Sequence, residues 1–314
     1  MKLIPRISIF SCLASLLLGS AGAIRVNDGA PALLAYRLKP GDTMRYKLTA
    51  NVKGSVPLFE SPTPIDLDAI LTLVYQATPK TLMADGSADV EFKVESAEVE
   101  VAKIPFPVPI EDVQKVLDQT VTLSKMGEVI KGNAEKAAPF NLSIPALDPT
   151  RLYALLFPVV FQPRPVKAGD TWTYKSELLG GNGANPKFTA TVLETTPADG
   201  KANVTRLREN VEMKVDTKVN ADKKPVTDDA DAYKTRKGTI QGSGVLHFNR
   251  TSGRFTRSEV ELNAKIQEDL VGTPKTPDEP KQVISTVSAK VVVQLMPKVA
   301  ALAAPVEKGK KAKQ

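Results

Sequence analysis

Lys39-Pro40-Gly41-Asp42-Thr43-Met44-Arg45-Tyr46-Lys47 returns 128 positions later as Lys167-Ala168-Gly169-Asp170-Thr171-Trp172-Thr173-Tyr174-Lys175. In each copy Gly-Asp reads as a tight turn, because glycine accepts positive φ and aspartate bonds its own backbone. The residues that follow alternate. Met44, Tyr46 and Leu48 are apolar or aromatic, and Arg45, Lys47 and Thr49 between them are polar. That is the period of a strand with one buried face. Trp172 and Tyr174 repeat it, so Met44 with Tyr46, and Trp172 with Tyr174, are expected to point inward from equivalent strand starts.

Working outward, the echo continues. Thr78-Pro79 leads to Asp85-Gly86, and Thr196-Pro197 leads to Asp199-Gly200. Asp-Gly between alternating runs is a hairpin signal. It joins 71–78 to 88–101 in the first half and 188–196 to 202–215 in the second. Gly127 and Gly253 form a third, weaker pair. Further alternating runs cover 245–249, 255–270 and 283–295. Three echoes in one order predict an internal duplication. The fold class is therefore mainly β with minor α: two repeated, curved antiparallel sheets with short helices against their concave faces.

Helix signals are few. Ile110, Val113 and Leu117 share one face of 110–119. Asp148-Pro149 resembles an N-cap with proline at the first helical position. That start leads into a helix through Leu152, Leu155 and Leu156, which Pro158 ends. Gly180–Asn185 and Asp216–Gly238 read as loops.

The N-terminus reads as a secretory signal. Lys2 and Arg6 precede the apolar stretch 7–18, and Ala21-Gly22-Ala23 supplies a small-residue cleavage pattern. The apolar run is shorter than the roughly 20 residues of a spanning helix, and no transmembrane helix is expected in the mature chain. The resulting division is a signal peptide over 1–23, a linker over 24–35 and a first β repeat over 36–147. A second repeat with its preceding short helix covers 148–300, and 301–314 form a disordered basic tail. Localisation is expected to be periplasmic or extracellular.

Charge and inventory exclude much. Lys plus Arg number 42 against 35 Asp plus Glu, a formal +7. Without Lys2, Arg6 and the tail lysines 308, 310, 311 and 313, the count is 36 against 35. The basic excess thus sits at the termini, and no nucleic-acid partner is expected. The only cysteine, Cys12, lies inside the signal, so disulfides and thiolate chemistry are excluded from the mature chain. The single histidine, His247, lacks companions for a zinc site or a nucleophile–base pair and reads as a surface residue on a strand. Asp228-Asp229-Ala230-Asp231 lacks the turn glycine and bidentate Glu of a calcium loop. Gly238–Gly244 leads into a strand, against phosphate cradling at a helix. No enzyme, cofactor or metal site is expected.

The stretch Phe157-Pro158, Phe161 and Pro163-Arg164-Pro165-Val166-Lys167-Ala168-Gly169-Asp170-Thr171-Trp172 resembles a family of uncharacterised exported bacterial β-rich proteins with Gly-Asp-x-Trp repeat starts. The resemblance supplies no catalytic residues. The arrangement of long strands and a few short helices is also distantly similar to periplasmic lipoprotein carriers, whose curved sheet encloses lipid. These readings point to a noncatalytic cell-envelope binding protein for a lipid or other hydrophobic ligand, lined by Leu152, Leu155, Leu156, Phe157 and Phe161. The alternative is a structural or interaction module of the envelope that presents loops or sheet edges to a protein partner.

Overall fold

The computed structural model describes residues 31–56, 64–132, 149–176, 186–198, 202–220, 225–228, 231–274, 277 and 279–297. The signal segment, the basic tail, the loop Gly180–Asn185 and the turn Asp199-Gly200 lie outside the described residues.

Among those residues, strands dominate: β1 (Met44–Val56), β2 (Ile65–Leu82), β3 (Ala88–Val101), β4 (Ile104–Phe106), β5 (Gln119–Leu123), β6 (Val129–Lys131) and β7 (Thr171–Tyr174). They continue as β8 (Lys187–Ala198), β9 (Ala202–Val219), β10 (Pro225–Val226), β11 (Lys234–Asn249), β12 (Arg254–Leu270) and β13 (Gln282–Leu295). All 13 join one sheet, in the order β6-β5-β3-β2-β1-β13-β12-β11-β9-β8-β7, with β4 on β3 and β10 on β9. Every pairing is antiparallel.

The expectation of two sheets is corrected. β13 pairs with β12 on one side and with β1 on the other, from Tyr46↔Leu295 to Ser55↔Thr286. Two separate sheets would leave the long β1 with a row of unpaired backbone groups, an edge that invites foreign strands. One sheet satisfies that row internally.

Within this sheet a five-strand order occurs twice, as β1-β2-β3-β5-β6 and β7-β8-β9-β11-β12. Gly41 and Gly169 have φ of 76° and 88°. The Gly41 N–H donates to the Pro79 carbonyl at 2.8 Å, and the Gly169 N–H donates to the Val192 carbonyl at 2.9 Å. The rows Met44–Ala77–Phe92 and Trp172–Ala190–Glu209 run across corresponding strands. Each half has a bulge two residues beyond its alanine, at Pro79/Thr81 and Val192/Glu194. Each has another before its hairpin, at Thr122/Leu123 and His247/Phe248. Met44, Tyr46 and Trp172 are buried and Tyr174 is partly buried, as inward alternation requires.

The sheet curls around the segment Leu152–Phe161. Phe157 packs against Phe92 of β3, and Phe161 packs against Trp172 of β7 and Phe248 of β11. Three strands far apart in the sheet order thus meet one strap of chain. Glycines allow the bend. Gly238, Gly242 and Gly244 share the inward parity of Ile240 and Leu246. A Cβ on Gly238 would lie 2.1 Å from the Lys265 carbonyl oxygen, and one on Gly244 would lie 2.6 Å from that of Glu259. Only residues without side chains let β12 press this close.

Two further expectations change. Among the described residues, helix is limited to α1 (Ile110–Leu117) and a 3₁₀ segment, Pro149–Leu155, interrupted at Arg151. Residues 153–159 are buried without a break, so no polar face exists for a regular amphipathic helix; the strap is a plug. The expected loop Asp216–Gly238 is also shorter at both ends. β9 runs to Val219 and β11 begins at Lys234. Polar side chains there are held by pairing: Arg236 donates to Glu268 at 2.6 Å, and Lys234 lies 3.1 Å from the same carboxylate.

Candidate functional site

The inner face of the second half differs from that of the first at one row. Phe92, fully buried, packs its ring on Tyr75, Tyr153 and Phe157. The corresponding position on β9 is Glu209, only 4% exposed and flanked on its strand by buried Leu207 and Val211. A carboxylate fills less of this space than a phenyl ring. A largely enclosed cavity of about 20 Å³ remains there, room for one water-sized occupant. Its walls are Ala154, Leu155 and Pro158 of the plug and Phe188, Val211, Val260, Leu262 and Val291 of the sheet, with Ser176, Ser258 and Glu209 as polar points.

Burial raises the Glu209 carboxyl to about 7, partly opposed by its hydrogen bond with Tyr174. The Tyr174 hydroxyl also donates to the Pro158 carbonyl at 3.0 Å. These contacts form a chain. When Glu209 is ionised, the phenol proton is drawn to the carboxylate. When Glu209 is protonated, its own O–H donates to the phenol oxygen, and the phenol proton serves Pro158. The neutral acid therefore satisfies both acceptors without a buried charge. Burial also raises the Tyr174 hydroxyl well above the usual phenol range, so it remains a donor.

Of the five residues expected to line a ligand site, Leu155 lines this cavity. Leu156, Phe157 and Phe161 are buried in the core at 1%, 6% and 3% exposure, and Leu152 packs partly buried against it. The cavity thus joins the plug's Leu155 to Glu209, which the sequence reading passed over. The signal was present: Thr205, Leu207, Val211, Met213 and Val215 share one parity on β9, and Glu209 is the acid in that apolar register. His247 lies half-buried on the opposite, outer face. Among the described residues, no three His, Cys, Asp or Glu side chains gather in a way that could hold a metal, and no helix is long and apolar enough to cross a membrane.

No family model matches the sequence, and no curated protein matches it. A solved structure titled "Lipid-protein interactions in lipovitellin" aligns with 83% of this chain and 26% of its own at 10% identity, with a TM-score of 0.46. The chain therefore spans about a quarter of that protein.

Proposed function

We propose that this chain is a noncatalytic binding protein of the cell envelope, exported to the periplasm or beyond, that takes a hydrophobic ligand against the inner face of its second half. The observation that carries the reading is the cavity at Glu209, opened where the first half places Phe92. Apolar walls supply the affinity, and the Glu209 carboxyl with two serines nearby supplies a polar anchor, the usual division of labour in small-molecule sites. A ligand larger than water enters by displacing Leu155, the last residue of a 3₁₀ segment whose backbone is already irregular at Arg151. Native mass spectrometry and solvent extraction of freshly purified protein test this. A reproducible apolar adduct is expected in the wild type and absent in Glu209→Phe, which copies the filled first half. Bare mass in the wild type, or the same adduct in both proteins, refutes the reading.

One observation favours the interaction module as a second reading. The β3–β4 hairpin turns through Ala102 and Lys103, both at positive φ, and leaves Ile104 and Phe106 69% and 54% exposed. Crosslinking in intact cells would then recover a partner that Ile104→Glu with Phe106→Glu loses. An unchanged set of crosslinked proteins rejects that version.

A further inference from the structure

The outer face of the second half carries a groove of about 640 Å³ over β9, β11 and β12. Its floor is a cross-strand row: Arg206, His247 and Arg257 sit directly opposite one another on the three strands. The next row adds Arg208, Val245 and Glu259. This row places two arginines on either side of one imidazole and holds no carboxylate, and the corresponding row of the first half differs. There Asp89, Thr122 and Lys131 balance, and the Thr122 hydroxyl donates to Asp89 at 2.7 Å.

We propose that the groove is an oxyanion site, in which a sulfate- or phosphate-type group is held over His247 between Arg206 and Arg257. The local carboxylates leave donors to spare. Glu194 meets one end of the Arg206 guanidinium at 2.9 Å, yet the Arg206 Nε is buried with no hydrogen-bond partner among the described residues. Glu259 is divided between Arg257 at 2.9 Å and Lys290 of β13 at 2.6 Å, and Glu261 also lies 3.5 Å from Lys290. Arg208 makes no ion pair among the described residues. An oxyanion above the row would accept from the guanidinium groups of Arg206 and Arg257 and from the imidazole, with Arg208 as a further charge.

His247 makes the site self-reporting. Burial and then the charges of Arg206 and Arg257 lower its pKa, and Glu194 opposes them. The remaining charged groups of the groove are Arg208, Glu259 and Glu261, and Lys290 of β13 pairs with both carboxylates. A bound anion favours imidazolium, so anion binding and protonation of His247 must strengthen each other.

The sequence holds one histidine, so histidine-labelled protein gives one set of imidazole NMR signals. Its titration would be followed in inorganic sulfate and in chloride at matched ionic strength. Saturating sulfate is expected to raise the His247 pKa by about one unit, equivalent to about tenfold tighter sulfate binding by the protonated form. Arg206→Gln and Arg257→Gln, with folding verified by Trp172 emission, should each lose most of that shift. A His247 pKa equal in sulfate and chloride overturns the proposal, as does a full shift retained in both variants. Co-sedimentation with phosphatidylglycerol rather than phosphatidylcholine vesicles, lost in the double variant, would assign the site to a lipid phosphate. A sulfate response without vesicle binding assigns it to a free oxyanion.

Discussion

Replacing Glu209 with glutamine should remove a defined pH dependence from the protein's stability. The folded-state pKa of Glu209 is raised from 4.5 to about 7 by burial. Between those values the folded chain holds a proton that the unfolded chain has released, so stability falls as pH rises. The contribution is fully present below about pH 4.5, declines as pH rises through about 7, and levels off above it. At 1.36 kcal/mol per pH unit, the loss from about pH 5 to about pH 8 is about 2–3 kcal/mol. Glutamine resembles the neutral acid in shape and does not titrate, so the variant should lack this decline. Urea unfolding followed by Trp172 fluorescence across that range gives the comparison. His247, with its lowered pKa, acts in the opposite sense: its contribution is present above its unfolded value and lost as pH falls through its folded one. That trend occurs in both proteins and cancels in the difference. If wild type and Glu209→Gln lose stability in parallel from acid to alkaline pH, Glu209 is ionised in the folded state, and the hydrogen-bond chain through Tyr174 to Pro158 is wrong.

Two other perturbations test the frame around the site. Trp172 is 4% exposed and its indole N–H donates to the Val160 carbonyl at 2.8 Å, so Trp172→Ala should cost about 3–5 kcal/mol, whereas Lys175→Ala, at an exposed position, should cost less than about 0.5 kcal/mol in the same denaturation assay. The native emission of this single tryptophan should be blue-shifted; a solvent-like maximum would overturn the inward register of β7. Gly41→Ala meets open space at φ 76° and should cost about 1–2 kcal/mol from backbone strain alone. Gly127→Ala should cost more in thermal unfolding, because its Cβ would fall 2.5 Å from the Tyr36 ring and 2.8 Å from the Val159 oxygen at φ 91°. Equal losses at the two glycines would contradict the docking of Tyr36 on the β5–β6 turn.

Much of the strand content was legible because alternation is a local property. The Met44–Thr49 and Val283–Leu295 patterns fall on β1 and β13, and the Gly41 and Gly169 turns carry the positive φ that their sequence demands. Sheet count was not legible, since it depends on which strand covers the free edge of β1. Nothing in the 282–295 pattern says that it pairs on both sides. The strands beyond Val215 and before Gly238 were hidden for another reason. Their polar residues read as loop until Glu268 is brought across from β12 to pair Lys234 and Arg236. At the candidate site, the apolar strap 152–161 was visible as a cluster, but Leu155 differs from Leu156 and Phe161 only in facing the vacancy beside Glu209. That vacancy arises from comparing Glu209 with Phe92, a correspondence fixed by strand register rather than by sequence spacing.

The account turns on whether the second half holds an apolar ligand at Glu209. Crystallographic density from protein purified without any delipidating step tests this most directly. The prediction is continuous, elongated density between Leu155 and β12 that ends at the Glu209 carboxyl, with Leu155 displaced from the position it holds here. Density limited to a single water in the cavity of about 20 Å³, with Leu155 in place, would contradict it.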